Sequence, residues 1–164
     1  MHLINGKTLA ATLQADLQAL LKTSGLHPRL AVLLVGNDPA SALYVKLKKK
    51  AAEEIGIQVD ITHKDDTCST ADLIALIEGW NQDPAIDGIL VQLPLPAAYD
   101  EQKVIDAMAA KKDADGFHPE NIAALAQGKA AIIPPVHEGI LRLISQAPVH
   151  VNGARTVIIG NSEI

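Results

Sequence analysis

A single cysteine, Cys68, stands in 164 residues, so no disulfide within the chain can brace the fold. That scarcity suits a reducing, cytoplasmic compartment. Aromatics are almost absent: Trp80, Phe117, Tyr44 and Tyr99 are the whole set. The core must therefore be aliphatic, as in parallel sheets covered by helices, whose strands are short apolar runs. No apolar run is long enough to span a bilayer, so no membrane association is expected. The opening MHLINGKTLAA lacks a basic region followed by an apolar segment, so no signal peptide is expected. Positive charge is also short: 14 Lys and Arg stand against 19 Asp and Glu, a net charge of −5. That balance argues against nucleic acid as a partner. No nucleophile elbow, P-loop or zinc-ligand spacing occurs, and no metal is expected.

What is present alternates between strand and helix. Leu9, Leu13, Leu17, Leu20 and Leu21 predict a helix over Lys7 to Lys22, stopped by Gly25. LAVLLVG, Leu30 to Gly36, reads as a buried strand. NDPAS turns into a helix with Ser41 as a candidate cap, running to Ile55 and ending at Gly56. Ile57 to Lys64 alternates as a second strand. Ser69 or Thr70 caps a helix through Asn81. DGILVQL is the third strand, Tyr99 to Ala110 a helix, and KKDADGFHPEN a polar turn. His137 to Ser145 is helical, and TVIIG near the C-terminus reads as a fourth strand. The pattern implies βαβ units and an α/β fold with a parallel sheet, whose ligands bind at the carboxyl ends of the strands.

Three stretches can carry chemistry. In GILVQLPLP, Gln92 is a lone amide at the end of an apolar run, followed by Pro94 and Pro96. Its amide can face a ligand cleft or bond a neighbouring loop backbone, and the residues alone favour the second. One X-Pro bond here can be cis. In SALYVKLKKKAAEEIG, Tyr44 and Lys48 share a helix face, placing a ring beside an amine suited to proton transfer. Lys46, Lys48, Lys49 and Lys50 also read simply as a solvated basic face. In KDADGFHPEN, a carboxylate from Asp113 or Asp115 can hold an amino-pyrimidine ring or merely close a turn. His118 reads as a turn residue. His137 and Glu138 of PPVHEG read as a helix start or as a general base.

Taken together, VGNDPASALYVKLKKKAAEEIGI, GILVQLPLP and KKDADGFHPEN resemble the bifunctional methylenetetrahydrofolate dehydrogenase/cyclohydrolase family, in order and spacing, over about Leu3 to Gly139. The resemblance implies a three-layer αβα catalytic domain with a mostly parallel sheet, followed by the first strand of a Rossmann-like nucleotide domain. It implies a folate-binding catalytic domain over 1–138, and over 139–164 a connecting helix and the start of a truncated dinucleotide-binding domain. Lys48 then matches the catalytic lysine and Tyr44 the tyrosine that packs on the pterin side and orients it. Gln92 matches the glutamine that tunes the lysine, and Asp115 the aspartate that holds the pterin. Gly160 and Ser162 match the nucleotide loop. The implied substrate is a tetrahydrofolate derivative, the cofactor NADP or NAD, and the assembly a homodimer. The implied reactions are oxidation of methylene- to methenyl-tetrahydrofolate and hydrolysis to formyl-tetrahydrofolate. The isolated 164-residue chain is expected to lack dehydrogenase turnover. Departures fall at Pro135 and Val136, where the family carries cysteine and threonine, and at Asn161, where it carries arginine.

Overall fold

The computed structural model describes residues 4–148, 150–157 and 159. The elements are α1 (Gly6–Ser24), β1 (Arg29–Val35), α2 (Pro39–Ile55), β2 (Gln58–Lys64), α3 (Thr70–Gln82) and β3 (Gly88–Val91), then α4 (Glu101–Asp106), a 3-10 turn (Ala110–Lys112), α5 (Pro119–Ala126) and α6 (Pro135–Ser145). The three strands form one sheet in the order β2-β1-β3, and both pairings are parallel.

The central strand explains the layering. Ala31, Leu33 and Val35 of β1 point to one face, where they meet Leu73 and Ile77 of α3 and Val104 and Ile105 of α4. Val32 and Leu34 point to the other, where they meet Val45 of α2. A strand buried on both faces reads as an unbroken apolar run, and β1 does. Each side chain buried as fully as Leu33, Leu73 or Ile77 contributes about 1.5–3 kcal/mol. Helix α1 packs outside α2, and the Gln18 amide donates to the Glu54 carbonyl at 2.8 Å. The sheet is therefore sandwiched between helices, as expected.

Element ends follow local chemistry. Gly56 ends α2 at φ +100°, a left-handed conformation that an L side chain resists. Asp38, rather than Ser41, caps α2 by accepting the Ser41 N–H at 2.7 Å; Ser41 itself is buried inside the first turn. Ser69 and Asp72 form a capping box on α3.

Four expectations need correction. The third strand stops at Val91, short of Leu93, because Pro94 has no N–H to extend the ladder; the Leu93–Pro94 bond is cis. The helix expected over Tyr99 to Ala110 shortens to α4, capped by Asp100, because Tyr99 is drawn into the core. An unforeseen helix, α5, begins in the polar turn segment, with Pro119 in its first turn. The expected fourth strand finds no ladder among its described residues: Thr156 and Val157 are unpaired, and Val157 is exposed. Its Ile158 and Gly160 lie outside the described residues.

Candidate active site

Gln92 follows directly on β3. Its backbone N–H still donates to the Leu33 carbonyl at 2.9 Å, the last bond of the ladder. Its side-chain amide nitrogen donates to the Leu93 carbonyl at 2.7 Å. Its Oε1 is buried and has no partner. The nitrogen thus makes the loop-backbone bond that the residues alone favoured, while the residue lines a cleft with its oxygen unpartnered. An orphaned buried acceptor costs about 1–3 kcal/mol, which an incoming N–H would recover. Further along, the Leu95 N–H donates to Glu101 Oε2 at 2.9 Å, tying the proline loop to the start of α4.

Lys48 enters from α2. Its Nζ lies 3.4 Å from Asp115 Oδ2, and the two side chains are 39% and 14% exposed. The lysine cluster therefore divides by function of position. Lys49 and Lys50 pair with Glu53 and Glu54 one turn on, at 3.6 and 3.8 Å. Lys48, about as exposed as Lys49, instead reaches across to Asp115 and lines the cleft. Tyr44, one turn earlier on α2, is 59% exposed and does not line the cleft that Lys48 enters.

Asp115 is delivered by a tightly organised turn. Asp113, 1% exposed, accepts through Oδ1 from the N–H groups of Asp115 (3.2 Å) and Gly116 (2.9 Å). Through Oδ2 it accepts from the His118 N–H (2.8 Å) and the Asn121 amide (3.0 Å). Gly116 has φ +73°, and a Cβ there would lie 2.8 Å from the Ile132 carbonyl oxygen. The turn thus separates the two aspartates that the sequence left as alternatives: Asp113 closes it and Asp115 faces the cleft. Burial raises the Asp115 carboxyl above the ordinary carboxylate range; the Lys48 ammonium opposes this and the Asp113 charge adds to it. His118, expected as a turn residue, is the buried N-cap of α5: its Nδ1 accepts the Glu120 N–H at 3.2 Å.

These elements enclose a cleft of about 470 Å³. Lys48, Gln92, Glu101 and Asp115 supply its polar groups, and Leu93, Pro94, Phe117, Pro135 and Val136 its apolar wall. A mostly apolar hollow with a few convergent polar groups is the usual form of a small-molecule site. Glu101 and Phe117 were not picked out from sequence. Phe117 had a signal, as one of so few aromatics; Glu101 had none. His137 is exposed on the first turn of α6 and does not line the cleft, so it opens a helix. Among the described residues no group of three His, Cys, Asp or Glu side chains could hold a metal ion. None of the helices described is long and apolar enough to cross a membrane. Gly160 and Ser162 lie outside the described residues.

A family model for the tetrahydrofolate dehydrogenase/cyclohydrolase catalytic domain matches residues 4–115. The chain is 46% identical over 163 residues to the "Bifunctional protein FolD" of Acidiphilium cryptum, covering 99% of this chain and 58% of that protein. It is 43% identical to the protein of the same name from Moorella thermoacetica, covering 99% and 59%. It thus spans little more than half the length of these curated relatives. The crystal structure of the bifunctional FolD methylenetetrahydrofolate dehydrogenase/cyclohydrolase from Campylobacter jejuni superposes with a TM-score of 0.84 at 39% identity, over 88% of this chain and 53% of that one. The Trypanosoma brucei methylenetetrahydrofolate dehydrogenase-cyclohydrolase, solved with NADP and an inhibitor, superposes with a TM-score of 0.81 at 28% identity, over 88% and 51%.

Proposed function

The chain belongs to the tetrahydrofolate dehydrogenase/cyclohydrolase family, and on that premise we propose that its cleft binds a reduced folate and serves the oxidation of methylene- to methenyl-tetrahydrofolate and the hydrolysis of the latter to formyl-tetrahydrofolate. The observation that carries the reading is the buried, unpartnered Gln92 Oε1 in a cleft shared with the Lys48–Asp115 pair.

Asp115 accepts hydrogen bonds from the pterin's N–H groups, which fixes the ring. Its raised carboxyl is least costly to keep buried when donors surround it. Gln92 Oε1 accepts an N–H of Lys48 once Asp115 is engaged by substrate. A neutral amide does this without holding the lysine's proton as a carboxylate would. In the hydrolysis, water adds to the bridging carbon of the methenyl cation and gives up one proton. The resulting hydroxyl loses its proton as the C=O forms, the bridging C–N bond breaks, and the freed nitrogen takes a proton up. Lys48 moves these protons, a role worth about 10²–10⁴-fold for a well-placed acid or base. Tyr44, one turn before Lys48 on α2, packs its exposed ring on the part of the pterin that projects from the cleft, beside Lys48.

Hydride acceptance is the chemistry that NADP or NAD supplies when bound. The NADP in the Trypanosoma brucei relative supports the class of cofactor. Gly160 and Ser162 are the proposed nucleotide-loop positions. The described residues offer no glycine-rich turn leading into a helix at the cleft, and the steps above are those of this chain's own side chains. The same reading assigns folate binding to residues 1–138, gives 139–164 to the connection toward the nucleotide domain, and makes the assembly a homodimer, which light scattering tests.

The direct test is hydrolysis of methenyl-tetrahydrofolate followed by the loss of its absorbance. The chain should accelerate it and Lys48→Met should abolish the acceleration. Equal rates for the two proteins would overturn the assignment of Lys48.

A further inference from the structure

We propose that Asp113 is a positioning residue for folate binding: its buried carboxylate fixes the turn that holds the Asp115 side chain in the cleft. The inference rests on the reading of Asp115 as the folate-binding carboxylate.

Asp113 is almost wholly buried and uses both oxygens on four N–H donors. One of those donors is the backbone of Asp115 itself, and another is that of the next residue. Its other two partners, the His118 N–H and the Asn121 amide, belong to the start of α5. The carboxylate therefore ties the cleft-facing turn to a helix. On the other side, Asp113 pairs with Ile89 of β3 in an isolated parallel bridge, and the Ala114 N–H donates to the Ile89 carbonyl at 2.9 Å. Asp115 thus hangs between the sheet edge and α5, two residues beyond a rigid anchor. Four donors need an acceptor with no proton of its own, so only an ionised carboxylate satisfies them all. An asparagine keeps the shape but turns an N–H₂ toward at least one donor, and the turn loses its lock.

The test is a double-mutant cycle, read by titrating tetrahydrofolate into wild type, Asp113→Asn, Asp115→Ala and the double variant. Asp113→Asn should weaken binding about tenfold, the share of one charge-assisted hydrogen bond. The double variant should bind no more weakly than Asp115→Ala alone, because Asp113 acts through Asp115. Additive losses, or undiminished affinity in folded Asp113→Asn, would overturn the proposal. If Asp113→Asn does not fold, Asn121→Ala removes one of the four donors and enters the same cycle.

A ligand-free readout separates this proposal from the folate reading. Three-bond couplings should show one Asp115 χ1 rotamer in wild type and averaging in the variant. A single rotamer in both would refute the positioning role whatever the ligand. Rotamer averaging with equal folate affinity for wild type and Asp115→Ala would instead refute the folate assignment and leave the positioning role standing.

Discussion

Replacing Gln92 with methionine should make the protein no less stable while impairing its chemistry. The side chain makes one hydrogen bond, from its amide nitrogen to the Leu93 carbonyl, worth about 1 kcal/mol net. It also buries an acceptor with no donor, at a cost of about 1–3 kcal/mol. Methionine forfeits the first and relieves the second, and fills nearly the same volume with a flexible apolar chain. The Leu93 carbonyl sits in a partly exposed loop and can turn to water. The balance is a change from about zero to about 2 kcal/mol in favour of the variant. For a chain of this length each kcal/mol moves Tm by about 2–4 °C, so the melting point should hold or rise by a few degrees. Hydrolysis of methenyl-tetrahydrofolate should fall by about tenfold or more, since Lys48 loses its neutral partner. Calorimetric melting and an absorbance assay on one preparation read both. A variant that melts several degrees lower yet hydrolyses at the wild-type rate would refute the reasoning, because Gln92 would then be a structural amide.

Other outcomes follow from the same geometry. Lys48→Met should leave the unfolding free energy within about 0.5–1 kcal/mol of wild type, because the lysine is more than a third exposed, while hydrolysis is lost; denaturant titration by circular dichroism beside the assay checks this. Burial raises the Asp115 carboxyl, so only between the ordinary and the raised value does the folded form hold a proton that the unfolded chain releases. Its contribution to stability is therefore present below the ordinary carboxylate value of 3.8 and is lost as pH rises through the raised one. Wild type minus Asp115→Asn, measured by denaturant titration across that acidic window, should show stability falling with pH, and a flat difference would remove the buried-carboxyl argument. Gly116→Ala should destabilise by about 2 kcal/mol or more, since it combines a left-handed backbone with a carbonyl 2.8 Å from the new carbon; an unchanged melting curve would mean the turn yields.

The layered fold was legible because aliphatic runs and capping chemistry are local signals. Leu30 to Gly36 reads as a buried strand, and β1 runs Arg29–Val35 with five buried residues in a row. The Ser69 cap of α3 was visible as a residue type at the right place, and its reciprocal bond with Asp72 is present. Helix α5 was missed because its cap and first residues, His118 to Asn121, look like a continued turn; Pro119 at the helix start was the overlooked sign. Within the site, the strand-end amide and the Tyr44–Lys48 spacing drew notice from pattern alone, but pattern could not tell Lys48 from Lys49 or Lys50. That distinction comes from which lysine meets a carboxylate 67 residues away and which meets one four residues on. Asp113 and Asp115 were likewise inseparable by residue type, and only the motif resemblance pointed to Asp115; the turn supplies the physical reason by giving four donors to Asp113. Long-range partners decide these roles, and spacing does not carry them.

The central claim is that this cleft is a folate site. Its most direct test is calorimetric titration of tetrahydrofolate into the chain and into Asp115→Ala. Saturable binding to wild type, weakened about tenfold or more in the variant, is the predicted result. Binding of equal strength to both proteins, or none to a folded wild-type chain, would contradict it.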